Sequence, residues 1–592
     1  MAETIISPGV FTRENDISFI QPAPVAAGAA IIGPAVKGPV EVPTLVTSYN
    51  DYVRKFGTTF ASGSTSYEFL TSIAVKNYFQ QGGNSVLVSR VVSGSSNWTR
   101  ATNTHISSSG KDSLEPFNLQ TLGRGDIYNN ATSSLHGLNP DYTAAYQNSD
   151  SSLVSGSADN LRWEVSNVNT DLGTFTVSIR RGDDNLKNKV VLETFNNVSL
   201  DPNSGNYIEK IIGNQYQSLN SSENYIETIG EYVNNSNYVR VSAVNLPTLD
   251  YLGTDGLTIN SDSSNVLYTS SLPIASSGSF FGAVGSLFHA TQDNKFFKDI
   301  DSTNTQGLTT DDYTNIISLL GNTEEYQFNI ISAPGLVYEL TGHSTQLDSL
   351  ISISETRGDC IAVVDLVEHG DTVSGATTQA ASINSSYAAS YWPWLQTQSA
   401  TGRNEWVPAS VVIPGVYAFT DNSSAPWFAP AGLVRGGITG VIQAERRLTR
   451  TQRDTLYSKK VNPIASFPGQ GISVFGQKTL QTKASALDRV NVRRLLIELK
   501  KFIGDQARNL VFEQNTIATR NRFLATVNPY LESVVQRQGL YAYRVVMDDT
   551  NNTADVVDRN QLIGQIFIQP AKTAEFIVLD FTIEPTGATF ED

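Results

Sequence analysis

Five histidines and one cysteine are the side chains best suited to metal binding or nucleophilic chemistry in this chain of 592 residues. His105, His136, His289, His343 and His369 are scattered, with no HExxH and no paired spacing, and a lone cysteine gives no CxxC ligand pair or disulfide. Cys360 lies in the apolar run Cys360-Ile361-Ala362-Val363-Val364-Asp365, where a small buried hydrophobe is expected and not a nucleophile. There is no GxSxG elbow and no GxxxxGK[ST] phosphate loop, and Gly57, Gly63, Gly82 and Gly83 make no dinucleotide fingerprint. Gly469 and Gly471 around Gln470 read as a turn. The expectation is a protein without catalytic residues, metal or cofactor, and not an enzyme.

Charge is the chemistry that is patterned. A helix is predicted over about 488–512, and a helical wheel gathers Val492, Leu495, Leu496, Leu499, Phe502, Ile503 and Leu510 in one sector. Arg489, Arg493, Arg494, Lys500, Lys501 and Arg508 share another, which is expected to face outward. Such a row can meet phosphates, stay solvated, or meet an acidic protein. No helix-turn-helix, zinc-finger or RNA-binding signature accompanies it, and no aromatic stacking platform, which argues against nucleic acid. The net charge of −16 is uneven: residues 401–592 hold 22 Lys+Arg against 18 Asp+Glu, and residues 1–400 hold 19 against 39. Two surfaces with different tasks are implied.

The elements that must carry these residues follow from periodicity. Residues 1–20 hold a Pro8-Gly9 turn and the short extended run Val10-Phe11-Thr12, with nothing local to pack on. The run PVAAGAAII over 24–32 reads as a buried strand, 65–80 as a helix, and Ser85–Val92 as a strand: an α/β unit. Residues 93–160 are rich in Ser, Asn, Gly and Thr, and short alternating strands continue to about 345, the pattern of inserted β-rich material. A strand over 360–366 and a helix over 376–391 resume the α/β character. Beyond residue 400 come a short helix from a Thr449–Gln452 capping box, the long helix, a second helix over about 516–536, and three strands over 540–547, 562–568 and 574–583. The last is continuously apolar from Phe576 to Leu579. The N-terminus has no signal-peptide pattern and no run is long enough to cross a membrane, so a reducing cytoplasm is the expected site of folding.

Several stretches together resemble one family. They are Ser7–Glu14, PVAAGAAIIGPAVKGPVEVPTL over 24–45, Tyr49–Gly57, the Asp359–Asp365 strand, Val416–Asp421, Pro426–Gly432, Asn462–Ile464 and Phe467–Ile472. Gly476–Leu480, Val490–Leu495 and Phe512–Asn515 continue the series. In order and number they resemble the tail sheath proteins of contractile-tailed phages, the large T4-like branch in particular; residues 93–345 match no motif.

The resemblance implies a multidomain α/β (α+β) protein with an inner domain built from both chain ends and β-rich outer inserted domains. The expected division is an N-terminal arm over 1–22, a middle domain over 23–92 plus 346–400, outward insertions over 93–345, a tube-facing domain over 401–570 and a C-terminal strand arm over 571–592. It implies a non-enzymatic subunit that stacks as six-fold rings around a tail tube and contracts to deliver a genome. Val10, Phe11, Thr12, Phe576, Val578 and Phe581 would lie on strands added to neighbouring copies. The implied partners are other copies, the tail tube protein, baseplate proteins and a tail terminator or neck protein, with no direct nucleic acid and no membrane insertion. The implied location is the virion tail, assembled in the host cytoplasm. A sheath from an injection system or bacteriocin, or an unrelated capsid or surface protein, are the alternative readings.

Overall fold

Small apolar residues let the run from Val25 to Gly33 occupy the middle of a sheet with a neighbour on each side. The structure, a computed structural model, describes residues 25–62, 65–110, 115–130, 148–253, 257–259, 268–288 and 295–575. Its principal elements begin with β1 (Val25–Gly33), β2 (Thr44–Val46), α1 (Leu70–Gln80) and β3 (Val86–Arg90). An insertion follows, with β4 (Arg100–Asn103), β5 (Phe117–Arg124), β6 (Leu161–Asn169), β7 (Thr174–Arg181), β8 (Val191–Ser199), β9 (Val239–Val244) and β10 (Ser276–Phe281). The chain then returns through β11 (Tyr326–Val337), α2 (His343–Arg357), β12 (Ile361–Asp365), α3 (Val373–Ser382), β13 (Ala388–Trp392), α4 (Ile413–Ser423), α5 (Arg450–Ser458), β14 (Asn462–Phe467) and β15 (Gly471–Val474). It closes with α6 (Val490–Arg508), α7 (Ile517–Gln536), β16 (Leu540–Val546) and β17 (Gln565–Pro570).

The core is an eight-stranded mixed sheet in the order β2-β3-β1-β11-β12-β13-β14-β15. Its six central strands are parallel and its two edge strands antiparallel. Parallel strands need both faces covered, and successive side chains are shared between two apolar layers. Ala29, Ile31, Val88 and Val363 join α1 and α4 on one side. Ala30, Ile32, Leu87 and Val364 join α2, α3 and α5 on the other. Gly28 permits the close seating of α1: a Cβ there would lie 2.2 Å from the Tyr78 hydroxyl. The insertion is a separate antiparallel sheet in the order β8-β7-β6-β10-β4-β5-β9, with its own core including Phe117, Trp163 and Phe175. The whole is a multidomain α+β fold with mixed sheets and helices.

Three expectations need correction. The insertion does not run to residue 345: Leu308 already packs in the core, and β11 pairs with β1 at the sheet centre. Asn329, Ser332, Pro334 and Gly335 interrupt the apolar pattern of β11 and hide it as a central strand. The stretch 401–570 is not one unit, because α4, β14 and β15 belong to the core sheet and its layers. The helix expected over 376–391 ends at Ser382, and Ala388–Trp392 is a buried strand parallel to β12.

Arg90 joins core and insertion. Its guanidinium is fully buried at the end of β3 and donates to the carbonyls of Ala35 (3.1 Å), Val36 (3.3 Å), Gly38 (2.8 Å) and, from the insertion, Arg124 (3.0 Å). It stacks on Trp98 at 5.1 Å. Gly38 N also donates to the Tyr128 hydroxyl (3.1 Å), and Lys37 pairs with Asp159 (3.1 Å). The outgoing and returning segments touch: Gly94 N donates to Asp312 Oδ1 (3.1 Å) and Thr99 N to the Val284 carbonyl (3.0 Å).

A second buried polar contact sets α4. Asp365, at the end of β12, accepts from Ser410 N (3.0 Å) and Ser410 Oγ (2.5 Å) in the turn that precedes α4. Burial pushes its carboxyl up to about 7, and the Ser410 donors only partly oppose this.

Arg90→Ala leaves buried carbonyls without a donor and a void beside Trp98; a loss of about 3–5 kcal/mol in chemical denaturation is expected. For Asp365 the folded state holds its proton more tightly than the unfolded chain. Its contribution is therefore fully present below pH of about 4 and is lost as pH rises through about 7. Denaturation curves across that window should show the decline in the wild type and a flatter profile in Asp365→Asn.

Candidate assembly surfaces

α6 begins where Arg489 leaves an extended conformation, and it is gripped from two sides. Val490 and Ile497 pack into the core layer that holds α1 and α4. Leu495 and Leu499 pack in a separate cluster with Trp427, Phe523, Leu531 and Leu540, which unites α6, α7 and β16. Little of the N-terminal half is left for solvent.

The six basic residues therefore split. Arg493 is buried, stacks on Tyr387 at 4.0 Å and donates to Ser386 Oγ at 2.5 Å. Arg494 is buried, lies 4.7 Å over the Tyr417 ring and donates to both Asp421 oxygens at 2.6 and 2.5 Å. Burial raises the Asp421 carboxyl above its ordinary range, and the Arg494 guanidinium pulls against that rise. Arg489 is half-buried and donates from Nε (2.7 Å) and Nη2 (3.0 Å) to Glu575, a bidentate pair that holds this carboxyl low against the cost of burial. These three do not form the outward row that the wheel suggested, because the helix is covered on two sides rather than one. Lys500 is exposed and donates to the Tyr387 hydroxyl at 3.2 Å, Lys501 is half-buried, and Arg508 is exposed with a distant partner in Asp505 at 3.8 Å.

The receptor for Arg494 has a sequence signature that the wheel missed. Tyr417 and Asp421 are four residues apart on α4, so ring and carboxylate lie on one face. That is the geometry a flat guanidinium needs, stacked and paired at once.

β16 and β17 form a two-stranded antiparallel hairpin. One face packs on the helices through Tyr543, Val545, Ile566 and Ile568, and Tyr543 Oη donates to the Asn528 carbonyl at 3.0 Å. Tyr541 and Phe567 are exposed on it. Among the described residues neither outer edge has a partner strand. An isolated two-stranded ribbon is marginal, and open edges are templates for further strands. Val10, Phe11, Thr12, Phe576, Val578 and Phe581 lie outside the described residues.

Among the described residues, two histidines and the cysteine have structural surroundings, and His136 and His289 lie outside the described residues. His343 is buried and its Nδ1 accepts from Val337 N at 3.1 Å, while His369 sits among Phe297, Trp394 and Trp406. Cys360 is buried, which pushes its thiol up to about 12. Among the described residues no three His, Cys, Asp or Glu side chains converge as metal ligands, and no helix is long and apolar enough to cross a membrane.

Arg494→Ala leaves the half-buried Asp421 carboxylate without its partner and should cost about 2 kcal/mol in denaturant titrations. Lys500→Glu with Lys501→Glu should change stability by less than about 1 kcal/mol, because neither lysine is in an ion pair among the described residues.

Comparison with known proteins gives these surfaces a context. Residues 306–480 match a family model described as the phage tail sheath protein central domain, and residues 482–584 match the phage tail sheath C-terminal domain. The chain is 44% identical over 190 residues to the tail sheath protein of Vibrio phage KVP40, covering 32% of this chain and 28% of that one. It is 36% identical over 267 residues to the tail sheath protein of Enterobacteria phage T4, covering 42% and 40%. These alignments thus span less than half the length of either relative. The crystal structure of a sheath tail protein from Listeria innocua superposes with a TM-score of 0.50 at 12% identity, over 92% of this chain and 96% of that one, a likeness of fold. The two family models lie end to end over residues 306–584, which take in β11 to β15 of the core sheet and the α6–β17 unit, and over that stretch the chain matches the phage tail sheath protein family.

Proposed function

We propose that this chain is the structural subunit of a contractile tail sheath. Copies stack as six-fold rings around a tail tube, and shortening of the sleeve drives the tube through the host envelope for genome delivery. The observation that carries the reading is the β16–β17 hairpin, which among the described residues has two open edges in the unit that matches the sheath C-terminal domain. Strands added from neighbouring copies would close both edges with backbone hydrogen bonds, which depend little on sequence. Residues around Val10–Thr12 and Phe576–Phe581 are the segments assigned to those positions. Such a mesh can persist while side-chain contacts between copies change.

In this reading the terminal segments and the α6–β17 unit make the inner part that faces the tube, and the β4–β10 insertion lies outward. The exposed Lys500 and Arg508 and the half-buried Lys501 supply positive charge on α6 for an acidic tube surface or a neighbouring copy. Baseplate and tail terminator or neck proteins are the partners at the two ends of the sleeve. The subunit assembles in the host cytoplasm and ends in the virion tail. It performs no catalysis and needs no cofactor: a small free-energy difference per subunit, summed over many copies, drives contraction.

Electron microscopy of the purified protein, alone and with its tube partner, tests this directly. Hollow striated cylinders with six-fold end views are expected; only monomers or closed shells, even with the tube present, would overturn the reading. Lys500→Glu, Lys501→Glu and Arg508→Glu together should weaken assembly on the tube about tenfold or more, with the monomer still folded. Assembly at the wild-type level would remove these residues from the interface.

A further inference from the structure

A groove of about 1180 Å³ lies where the core meets the α6–β17 unit. Trp427, Phe428, Phe475 and Tyr541 give it aromatic walls, and Arg435, Arg450 and Arg453 give it positive charge. The arginines have no carboxylate partner among the described residues. Arg435 donates to the Ala429 carbonyl (3.2 Å) and stacks on Phe428, and Arg453 lies over Phe467 and Phe475. Of the two carboxylates that line the groove, Glu575 is taken up by Arg489, Gln477 and Tyr457, which leaves Asp454. Two further lining residues, Gln477 and Asn491, are each 3% exposed, and their amide oxygens Oε1 and Oδ1 are buried without a hydrogen-bond partner. Tyr541 and Phe475 remain substantially exposed.

This combination fits an extended peptide that is both apolar and acidic. Backbone N–H groups would answer the two amide oxygens, carboxylates the arginines, and apolar side chains the aromatic walls. The chain carries such a sequence at its C-terminal end, and it starts in the groove. Glu575 is fixed there, and residues 576–592 follow it with Phe576, Ile577, Val578, Leu579, Phe581 and Ile583. Their charges are Asp580, Glu584, Glu591 and Asp592, with no Lys or Arg.

We propose that in the free subunit residues 576–592 occupy this groove of their own chain. A segment tethered at its mouth has an effective local concentration on the order of millimolar, above that of a second copy in dilute solution. Self-occupation therefore wins in the monomer, and neighbours compete only when assembly packs copies together. The docking stands on the groove alone; its purpose, to withhold the segment from premature pairing, rests on the sheath reading.

The test uses the full-length chain with Phe581 replaced by the photo-reactive p-benzoylphenylalanine, as a dilute equal mixture of light and heavy nitrogen-labelled protein. Mass spectrometry of the cross-linked peptides then separates contacts within a chain from contacts between chains. Same-isotope cross-links to peptides around Trp427, Arg453 or Phe475 are expected. Arg450→Glu with Arg453→Glu, an exposed and a half-buried arginine of α5, should lower their yield about tenfold with the circular dichroism unchanged. Mixed-isotope cross-links would overturn self-occupation, cross-links elsewhere would overturn the groove, and an unchanged yield in the variant would overturn recognition by charge. Since the readout is made on unassembled protein, none of these results bears on whether the chain forms a sheath.

Discussion

Burying a guanidinium without a carboxylate beside it is costly, and the arrangement of this molecule depends on one such group. Arg90 is satisfied by backbone carbonyls alone, and those carbonyls come from both the core and the insertion. Desolvation lowers its affinity for the proton, to about 10, but not far enough to neutralise it at ordinary pH. The charge is therefore kept only while all its acceptors stay in place. That requirement holds the loop over 35–38, the end of β3 and the start of the insertion in one geometry.

The same device recurs at the other junction. Arg493 and Arg494 are wedged between the sheet core and the α6–β17 unit, each stacked on a tyrosine and bonded to one polar partner. Arg489 ties the start of α6 to Glu575. Planar cations suit such seams because they stack and bond at the same time. Asp365 belongs to this chain of placement: it fixes the turn before α4, and α4 presents Tyr417 and Asp421 to Arg494.

How much of this was legible depended on the range of the signal. Strands that are apolar throughout, such as β1 and β12, and helices with strong periodicity, such as α6 and α7, could be read locally. β11 could not, because Pro334 and Gly335 near its end read as a turn, whereas its place is set by pairing with distant β1. β14 was also obscure, since its parallel partner β13 lies some seventy residues upstream. For the candidate surface, the wheel found the basic residues of α6 but not their fate. A wheel assumes one covered face, and α6 has two. The hairpin was foreseen as strands, but open edges are a property of neighbours and not of sequence.

The segments that lead into and out of the insertion are stitched to each other, through Gly94 with Asp312 and Thr99 with Val284. The seven-stranded sheet thus leaves and rejoins the core at one place and adds no strand to the central sheet, while Leu219 and Ile226 of the insertion pack on the core beside it. A module mounted in this way can be traded for another of different size or chemistry, provided that the new one supplies an acceptor for Arg90 and covers the apolar core surface that Leu219 and Ile226 cover here. Core and appendage are then free to diverge at different speeds, and the stitched junction is the natural place to graft a foreign domain.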